Sequence, residues 1–226
     1  MYKNIAGGDR MITYGQIMKY HNQLPWIYNI KTVPHENVIL LNEIDANDRV
    51  LDLGCGNGWV EKQVLLPNGF TGEYVGYDIE LENPDFKAYD NWKELRVSEK
   101  QFDVVIALNF IEHLEMNELV ELLEDLVLNL MKPQSKMIIL TPNVFCFDYL
   151  FKYPQHKTFW PYDALFGLLK ALGFNDVQLW RCKGYHPLRR NPQLNEMQIR
   201  VCQALFLDWY GNILAVGKRG SSSASM

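Results

Sequence analysis

Three alternating glycines follow a short apolar segment, and their spacing indicates a binding site. The stretch runs from Val50 to Trp59, and its glycines are Gly54, Gly56 and Gly58. Glycine has no Cβ, so it tolerates positive φ and lets a ligand lie against bare backbone where a strand meets the next helix. The pattern predicts a cradle for a nucleotide-type ligand at the end of a buried strand.

The residues around these glycines indicate which nucleotide binds. A dinucleotide fingerprint, G-x-G-x-x-G, would need its third glycine at position 59, where this chain has Trp59. Asp52, two residues before the first glycine, adds a carboxylate that could meet a cationic amino group. S-adenosylmethionine (SAM) fits, because it is cationic and has a ribose but no phosphate. An NAD-dependent Rossmann enzyme is the disfavoured alternative.

Two histidines are the candidate catalytic bases. Methyl transfer from a sulfonium is an in-line displacement, in which positioning contributes an effective molarity of roughly 10⁵ M and a general base adds about 10²- to 10⁴-fold. The reference pKa of histidine, about 6.5, suits proton abstraction at neutral pH. His113 is the first candidate and His156, which opens a His-Lys-Thr-Phe-Trp segment, is the second. The alternative is that Glu112 and His113 only cap and orient the following helix.

Alternating strand and helix patterns must position these residues. Beyond the strand before Gly54, we expect strands at 73–78, 86–90, 102–108, 136–140, 177–180 and 213–216. We expect helices at 35–44, from 58 to 66, and at 115–131, 161–172 and 196–207. Such alternation predicts a doubly wound α/β fold, in which ligands bind beyond the carboxyl ends of the strands. That edge would hold residues 109–113 and 141–143.

Four motifs in this order resemble the class I SAM-dependent methyltransferases, in particular the ubiquinone-biosynthesis-like, small-molecule branch. They are the glycine stretch, residues 74–79, residues 102–114 with Glu-His-Leu, and residues 136–143 ending in Thr-Pro-Asn. The resemblance extends to about residue 180. It implies a Rossmann-like, mostly parallel sheet of seven strands with an antiparallel last strand and helices on both faces. It also implies SAM as cofactor and S-adenosylhomocysteine as product.

The same resemblance implies which residues bind the cofactor. Asp78 lies 24 residues after Gly54, near the separation of about 20 expected of an acid that binds ribose hydroxyls. The plainer interpretation is a solvated acid at a strand end. The resemblance nominates Asp90 and Asn91 for the adenine. The complete expected cofactor site is Asp52, Gly54, Cys55, Gly56, Asn57, Gly58, Asp78, Ile79, Asp90, Asn91 and Asn109.

A metal site is not assigned. Some relatives look as though they place a divalent metal on Glu-x-x-Glu-His, but the first position here is Asn109, a neutral amide. The site therefore has one negative charge fewer to attract a hard cation. Glu112, His113 and His156 could still bind one weakly.

Two sets of side chains could contact the methyl acceptor. Residues 181–195 contain no acid, and a phosphate or carboxylate could be gripped there by Arg181, Lys183, Arg189 and Arg190. A flat apolar wall could come from Tyr14, Trp160 and Tyr185. The alternatives are a solvated loop for the first set and ordinary core for the second. We expect a small-molecule acceptor, anionic or aromatic, that is methylated on oxygen.

Composition limits the remaining possibilities. The 226 residues are 48% hydrophobic and 22% charged, as in an ordinary single globular domain. We expect a helical cap over 1–44, a Rossmann-like core over 45–219 and a disordered tail over 220–226. No apolar run approaches the roughly 20 residues that span a bilayer. Four scattered cysteines favour reduced thiols and the cytoplasm.

The net charge of −5 argues against nucleic acid as a partner, because such binders concentrate Lys and Arg. This weakens the alternative of an RNA 2′-O-methyltransferase. A catalytically silent SAM-binding regulatory or scaffold domain is a further alternative. The oligomeric state is open.

Overall fold

The computed structural model describes residues 12–20, 23–82, 84–146, 154–184 and 192–220. Arg189, Arg190 and Tyr185 lie outside the described residues, as do the first eleven residues and the tail beyond residue 220. The strands are β1 (Lys31–Val33), β2 (Arg49–Leu53), β3 (Glu73–Tyr77), β4 (Ala88–Tyr89), β5 (Phe102–Leu108), β6 (Met131–Pro142), β7 (Phe174–Gly184) and β8 (Tyr210–Arg219). The α-helices are α1 (Tyr14–Met18), α2 (Asn37–Glu43), α3 (Trp92–Ser98), α4 (Met116–Asn129), α5 (Tyr162–Ala171) and α6 (Pro192–Ala204).

The strands form one mixed sheet in the order β1-β7-β8-β6-β5-β2-β3-β4. All neighbouring strands are parallel except at β8, which is antiparallel to both β6 and β7. The predicted doubly wound α/β class and the antiparallel last strand are therefore confirmed. The parallel strands carry their carboxyl ends to one edge of the sheet, where the chemistry-bearing residues were expected.

The central strands are buried because both faces of the sheet are covered. β5 is almost continuously apolar, as expected of a parallel strand between two helical layers. On one face α4 packs its buried stripe of Leu119, Val120, Leu123, Leu126 and Val127, and α5 lies beside it in the same cluster. On the other face, α2 and the helical turn at Val60–Leu65 form a second cluster.

The strand count differs from the prediction. The sheet has eight strands rather than seven, because β1 lies within the segment expected to be a purely helical cap. β1 pairs in parallel with β7, placing Lys31 beside Trp180 and Val33 beside Cys182. Three residues are too few for a visible alternating pattern, so only the long-range pairing with the edge of the sheet defines this strand.

The helix expected after Gly58 is also different from the prediction. Val60–Leu65 is a π-helix, followed by a 3₁₀ turn at Leu66–Asn68 that ends at Gly69 with φ +85°. π-helical turns are rare and are found frequently at functional sites. Among the described residues, no helix combines the length and the apolar character needed to cross a bilayer.

Gly167 lets α5 pack closely on α1. A Cβ built at Gly167 would lie far inside contact distance of the carbonyl oxygen of Ile17, a buried residue of α1. Alanine normally stabilises a helix by up to about 1 kcal/mol relative to glycine. We expect Gly167→Ala to do the opposite and lower the free energy of unfolding by about 1–3 kcal/mol, because overpacking displaces α1.

Urea unfolding measures this effect, and Gly15→Ala in α1 is the matched control. The Cβ added at Gly15 has its nearest neighbour at 3.9 Å, so this variant should be as stable as the parent or slightly more stable. Equal effects of the two substitutions would contradict close packing at Gly167.

Candidate active site

The glycine stretch forms the expected backbone cradle. Gly54, Gly56 and Gly58 all have positive φ, at 74°, 49° and 75°. A Cβ at Gly54 would approach the ring of Phe110 to 2.8 Å, and a Cβ at Gly58 would approach Phe86 to 2.7 Å. A Cβ at Gly56 would meet nothing within 4 Å. The outer glycines are thus needed for packing as well as for backbone conformation, while the middle one faces open space.

Asp78 lies directly beside this cradle. Its Oδ2 accepts a hydrogen bond of 2.9 Å from the backbone N–H of Gly56, and its Oδ1 accepts one of 2.9 Å from the N–H of Glu80. The parallel register of β2 and β3 causes this proximity, because Leu53 is level with Tyr77 and both loops begin at the same height. The structure therefore brings together the loop and the acid that the sequence predicts.

A cavity of about 310 Å³ opens beside the loop. Four predicted cofactor residues line it, namely Asp52, Gly54, Cys55 and Asn109. Sequence reasoning did not assign the other polar and aromatic lining residues to the cofactor, and these are His35, Glu36, Trp59 and Lys183. His35 and Glu36 follow β1, so no local pattern could have located them.

Asp52 is almost completely buried, with 3% of its surface exposed. The hydroxyl of Tyr74 donates a 2.5 Å hydrogen bond to its Oδ2. Burial raises the pKa of this carboxyl from 3.8 to about 7, the Tyr74 bond opposes the rise, and the charge of Asp78 adds to it. A nearby cation would stabilise the ionised form, so Asp52 is suited to meet a positively charged ligand group.

Cys55 contributes volume rather than reactivity. Its side chain is buried, and burial raises the pKa of the thiol to about 12, with further contributions from Asp52 and Asp78. The thiol therefore stays protonated at neutral pH and is a poor nucleophile. Each of the four cysteines of the chain is free.

The residues expected around the adenine differ in their exposure and in their hydrogen bonds. Ile79, at the end of β3, is 71% exposed, which is unusual for a large apolar side chain. Asp90 is exposed as well. Asn91 caps α3, because its Oδ1 accepts hydrogen bonds from the N–H groups of Lys93 at 3.0 Å and Glu94 at 3.3 Å. The side chain of Asn91 therefore stabilises the start of α3.

His113 and His156 come together although 43 residues separate them in the sequence. Their rings meet edge to face with centroids 5.0 Å apart. His113 ends a 3₁₀ turn at Ile111–His113. The segment that carries His156 is attached to the same turn, since the N–H groups of Lys157 and Thr158 both donate to the carbonyl of Glu112. Burial, followed by the proximity of His113, lowers the pKa of His156.

Glu112 lies close to the two histidines and is 1% exposed. Its Oε2 accepts a 3.3 Å hydrogen bond from Thr141, whereas its Oε1 is buried without a hydrogen-bond partner. Burial raises the pKa of this carboxyl to about 7. Residues 109–113 and 141–143 were expected at the same edge of the sheet, and the contact between Glu112 and Thr141 agrees with this.

Glu112, His113 and His156 could also hold a metal ion. Each offers one ligand atom, and these three atoms lie within 4.8 Å of one another. Bonds of about 2.0–2.2 Å separate two ligands of one ion by no more than about 4.4 Å. The cluster would therefore have to contract slightly to bind an ion, and the unpartnered Oε1 of Glu112 is a suitable donor for it.

Arg181 is not available to grip an acceptor, contrary to the expectation. It is 5% exposed and pairs with buried Asp208 at 3.0 Å, and it also donates to the carbonyls of Tyr28 and Ile30. A buried charge needs such partners, and they occupy this guanidinium. Lys183 differs, because it lines the cavity.

Two of the three aromatic residues nominated for a flat wall, Trp160 and Tyr14, lie in the described part of the chain, and Trp160 lines a small pocket together with Glu112 and His156. Trp160 is 2% exposed, and its Nε1 donates to Thr158, which in turn bonds to the carbonyls of Ile111 and Leu114. Through Thr158, Trp160 therefore helps to hold the turn that contains His113. Tyr14, in contrast, is 65% exposed in α1. Trp160 thus packs in the core and also borders this pocket.

A sheet with one antiparallel strand inserted beside β6, and a glycine cradle at the end of β2, defines the class I methyltransferase fold. The chain belongs to the family whose model is described as a methyltransferase domain, which matches residues 28–179 and hence more than half of the chain. No curated protein matches the chain in sequence.

Solved structures agree with this assignment. A SAM-dependent methyltransferase from Archaeoglobus fulgidus is 24% identical, with a TM-score of 0.66 over 80% of this chain and 90% of that chain. Phosphoethanolamine N-methyltransferase 2 of Haemonchus contortus, solved with SAM, is 14% identical, with a TM-score of 0.53 over 92% of this chain and 57% of that one. The methyltransferase domain of bacterial CtHen1-C is 17% identical, with a TM-score of 0.53 over 81% of this chain and 94% of that one.

These findings decide the general activity. The chain is a SAM-dependent methyltransferase, and SAM is its cofactor. The alternative of an NAD-dependent enzyme is therefore set aside.

The buried carboxyl of Asp52 predicts a specific pH dependence of stability. Its pKa is about 7 in the folded chain and 3.8 ordinarily, so between these values the folded state binds more protons and stability falls as the pH rises. An asparagine at position 52 does not ionise, so the Asp52→Asn variant does not lose this stability as the pH rises. The free energy of unfolding of the variant, relative to the parent, should therefore increase between about pH 5 and pH 8.

Urea unfolding at several pH values measures this difference. Glu73→Gln is the control, because ion pairing with Arg49 lowers the pKa of Glu73 to about 2 and its charge does not change in this window. A difference that stays constant with pH for Asp52→Asn would contradict a raised pKa.

Proposed function

We propose that the enzyme transfers the methyl group of SAM to a hydroxyl oxygen of a small-molecule acceptor, with His113 as the general base. The observation that carries this proposal is the meeting of His113 and His156, with ring centroids 5.0 Å apart, at the strand edge where the cradle opens. Asn109, which lines the cofactor cavity, is only four residues before His113. One short segment thus connects the methyl donor and the base.

The cofactor site proposed here is the one expected from the sequence. Asp52 would meet the ammonium group of SAM, the glycine loop its methionine backbone and Asp78 the ribose hydroxyls. The exposed side chain of Ile79 would cover one face of the adenine, with Asp90 and the capping residue Asn91 at its edge. Cys55, Asn57 and Asn109 complete the lining.

The proposed reaction is a direct displacement. The acceptor oxygen attacks the methyl carbon of SAM, the carbon–sulfur bond breaks, and its electron pair stays on sulfur to give S-adenosylhomocysteine. The acceptor proton passes to an imidazole nitrogen of His113. His156 has a lowered pKa, so it is neutral at pH 7 and can accept a proton or orient the acceptor.

A divalent cation at Glu112, His113 and His156 is the second candidate for proton removal. The unpartnered Oε1 of Glu112 favours it, and two imidazoles with one carboxylate are a known ligand set for such ions. When bound, the ion would acidify the acceptor hydroxyl by direct coordination. Asn109 instead of an acid at the first motif position makes the attraction for a hard cation weaker.

A small acceptor is supported by charge. The chain carries a net charge of −5, whereas nucleic-acid binders present concentrated Lys and Arg. Of the four cations expected to grip an anionic acceptor, Arg181 is buried in an ion pair. Arg181 therefore does not support an anionic acceptor. We propose the cytoplasm as the compartment, which four free cysteines support.

The Asp78→Ala substitution tests the cofactor site. We expect SAM affinity to fall by roughly 10- to 150-fold, because a charge-assisted hydrogen bond worth about 1.5–3 kcal/mol is lost. Calorimetric titration measures the dissociation constant. Glu80→Gln, an exposed acid two residues away, should leave it unchanged. Unchanged affinity in Asp78→Ala would refute the role of the ribose acid.

The His113→Ala substitution tests the base. We expect turnover to fall by about 10²- to 10⁴-fold with nearly unchanged SAM affinity, because only proton removal is affected. Transfer of label from methyl-labelled SAM to an acceptor found in metabolite extracts provides the assay. Lys157→Ala, an exposed neighbour of His156, is the control. Turnover equal to that of the parent would show that His113 is structural.

A chelator separates the two candidates for proton removal. If His113 acts as the base, turnover of the parent enzyme survives exhaustive treatment with EDTA. If the cation acts, turnover is lost and returns when Mg²⁺, Mn²⁺ or Zn²⁺ is added.

A further inference from the structure

An ion pair between Lys183 and Glu36 borders the cofactor cavity. Nζ of Lys183 lies 2.7 Å from Oε1 of Glu36, and both residues line the cavity together with Asp52 and the glycine loop. The pairing of β1 with β7 brings them together. Val33, the last residue of β1, is level with Cys182. Glu36, three residues after β1, therefore meets Lys183, which lies near the end of β7.

The ion pair holds the lysine while leaving it able to bind a ligand. Glu36 is 3% exposed, so its carboxylate is fixed in position. An ammonium group has three N–H donors, and one contact with Glu36 leaves two for other acceptors. Lys183 keeps 29% of its side chain exposed.

Two further polar atoms next to this pair have no hydrogen-bond partner. They are Oε2 of Glu36 and Nδ1 of His35, both buried. They lie 3.3 Å apart, yet their geometry does not meet hydrogen-bond criteria, so the distance alone does not satisfy either atom. Buried polar atoms are nearly always satisfied. The residues that carry these atoms, His35 and Glu36, line the cavity, so the wall beside Lys183 is polar.

The backbone gives independent support. Lys183 has a φ of 56° and Asn109 a φ of 52°, and both line the same cavity. Residues other than glycine rarely adopt such a conformation, and these conformations cluster at ligand sites. Lys183 lies between Cys182 and Gly184, which pair with Asn212 and Tyr210 of β8.

We propose that Lys183 binds the carboxylate of the amino-acid part of SAM, and that Glu36 is a positioning residue that holds the lysine for this contact. The proposal rests on the cofactor site described under the proposed function, where Asp52 meets the ammonium group. The charges are complementary. The cavity wall carries the acids Asp52 and Glu36 and the base Lys183, so groups of both signs are present for the ammonium and the carboxylate of SAM.

Decarboxylated SAM provides the sharpest test, because it lacks only the carboxylate. For the parent protein we expect SAM to bind about ten- to a hundredfold more tightly than decarboxylated SAM. In Lys183→Met, the affinity for SAM should fall by a similar factor, whereas the affinity for decarboxylated SAM should stay within about twofold of the parent. Calorimetric titration of each protein with each ligand gives the four dissociation constants.

Two controls keep the result interpretable. Lys218→Met removes a lysine of β8 that pairs with Glu43 at 3.4 Å, outside the cavity, and should leave both affinities unchanged. If Lys183→Met unfolds because Glu36 is left unpaired, the double variant Glu36→Gln/Lys183→Met removes both charges. It should show the same selective loss.

Three outcomes would overturn the inference. They are equal affinity of the parent for both ligands, equal weakening of both ligands by Lys183→Met, and no weakening of either. In each case Glu36 and Lys183 form only a structural ion pair. These outcomes leave His113 as the base untouched, and loss of turnover in His113→Ala does not depend on them. A failure of the acceptor-side proposal is therefore distinguishable from a failure of this one.

Discussion

The parallel register of β2 with its two neighbours is the constraint on which the site depends. Leu53 is level with Tyr77 on one side and with Ala107 on the other. Three chain segments therefore leave the sheet at one height and in one direction, and the glycine loop, Asp78 and Asn109 follow at once. A shift of this register by one residue would turn each strand's side chains to the opposite face. The core on both faces thus fixes the position of the cofactor site.

Sequence reasoning located those parts that local patterns determine. The glycine cradle, Asp78 and the central strands each have a signature within a few residues, and the structure has them where the patterns predict. The patterns could not show the partners of buried charges. Arg181 reads as one cation of a basic loop, but contacts with Tyr28, Ile30 and Asp208, all more than 25 residues away, make it structural. β1 and the pairing of Glu36 with Lys183 depend on distant strands in the same way.

Burial explains why two carboxyls of the site differ from the other acids of the chain. Asp52 and Glu112 both have a pKa near 7, mainly because desolvation disfavours their charge. At Glu73, whose side chain is 45% exposed, ion pairing with Arg49 instead lowers the pKa to about 2. Retaining buried acids costs stability unless a cation compensates them. Both acids line places where a positively charged group is expected, which is the ammonium of SAM for Asp52 and a protonated histidine or a metal ion for Glu112.

One short segment, residues 109–113, connects the cofactor cavity with the two candidate catalytic histidines. Asn109 follows β5 with positive φ, lines the cofactor cavity and donates its backbone N–H to the carbonyl of Leu140 on β6. Four residues later His113 meets His156, and the carbonyl of Glu112 between them anchors the second histidine's segment. Because β5 is buried between two helical layers, this segment has a rigid base. A displacement of Asn109 would therefore act on both the cofactor cavity and the turn that carries the proposed base, His113.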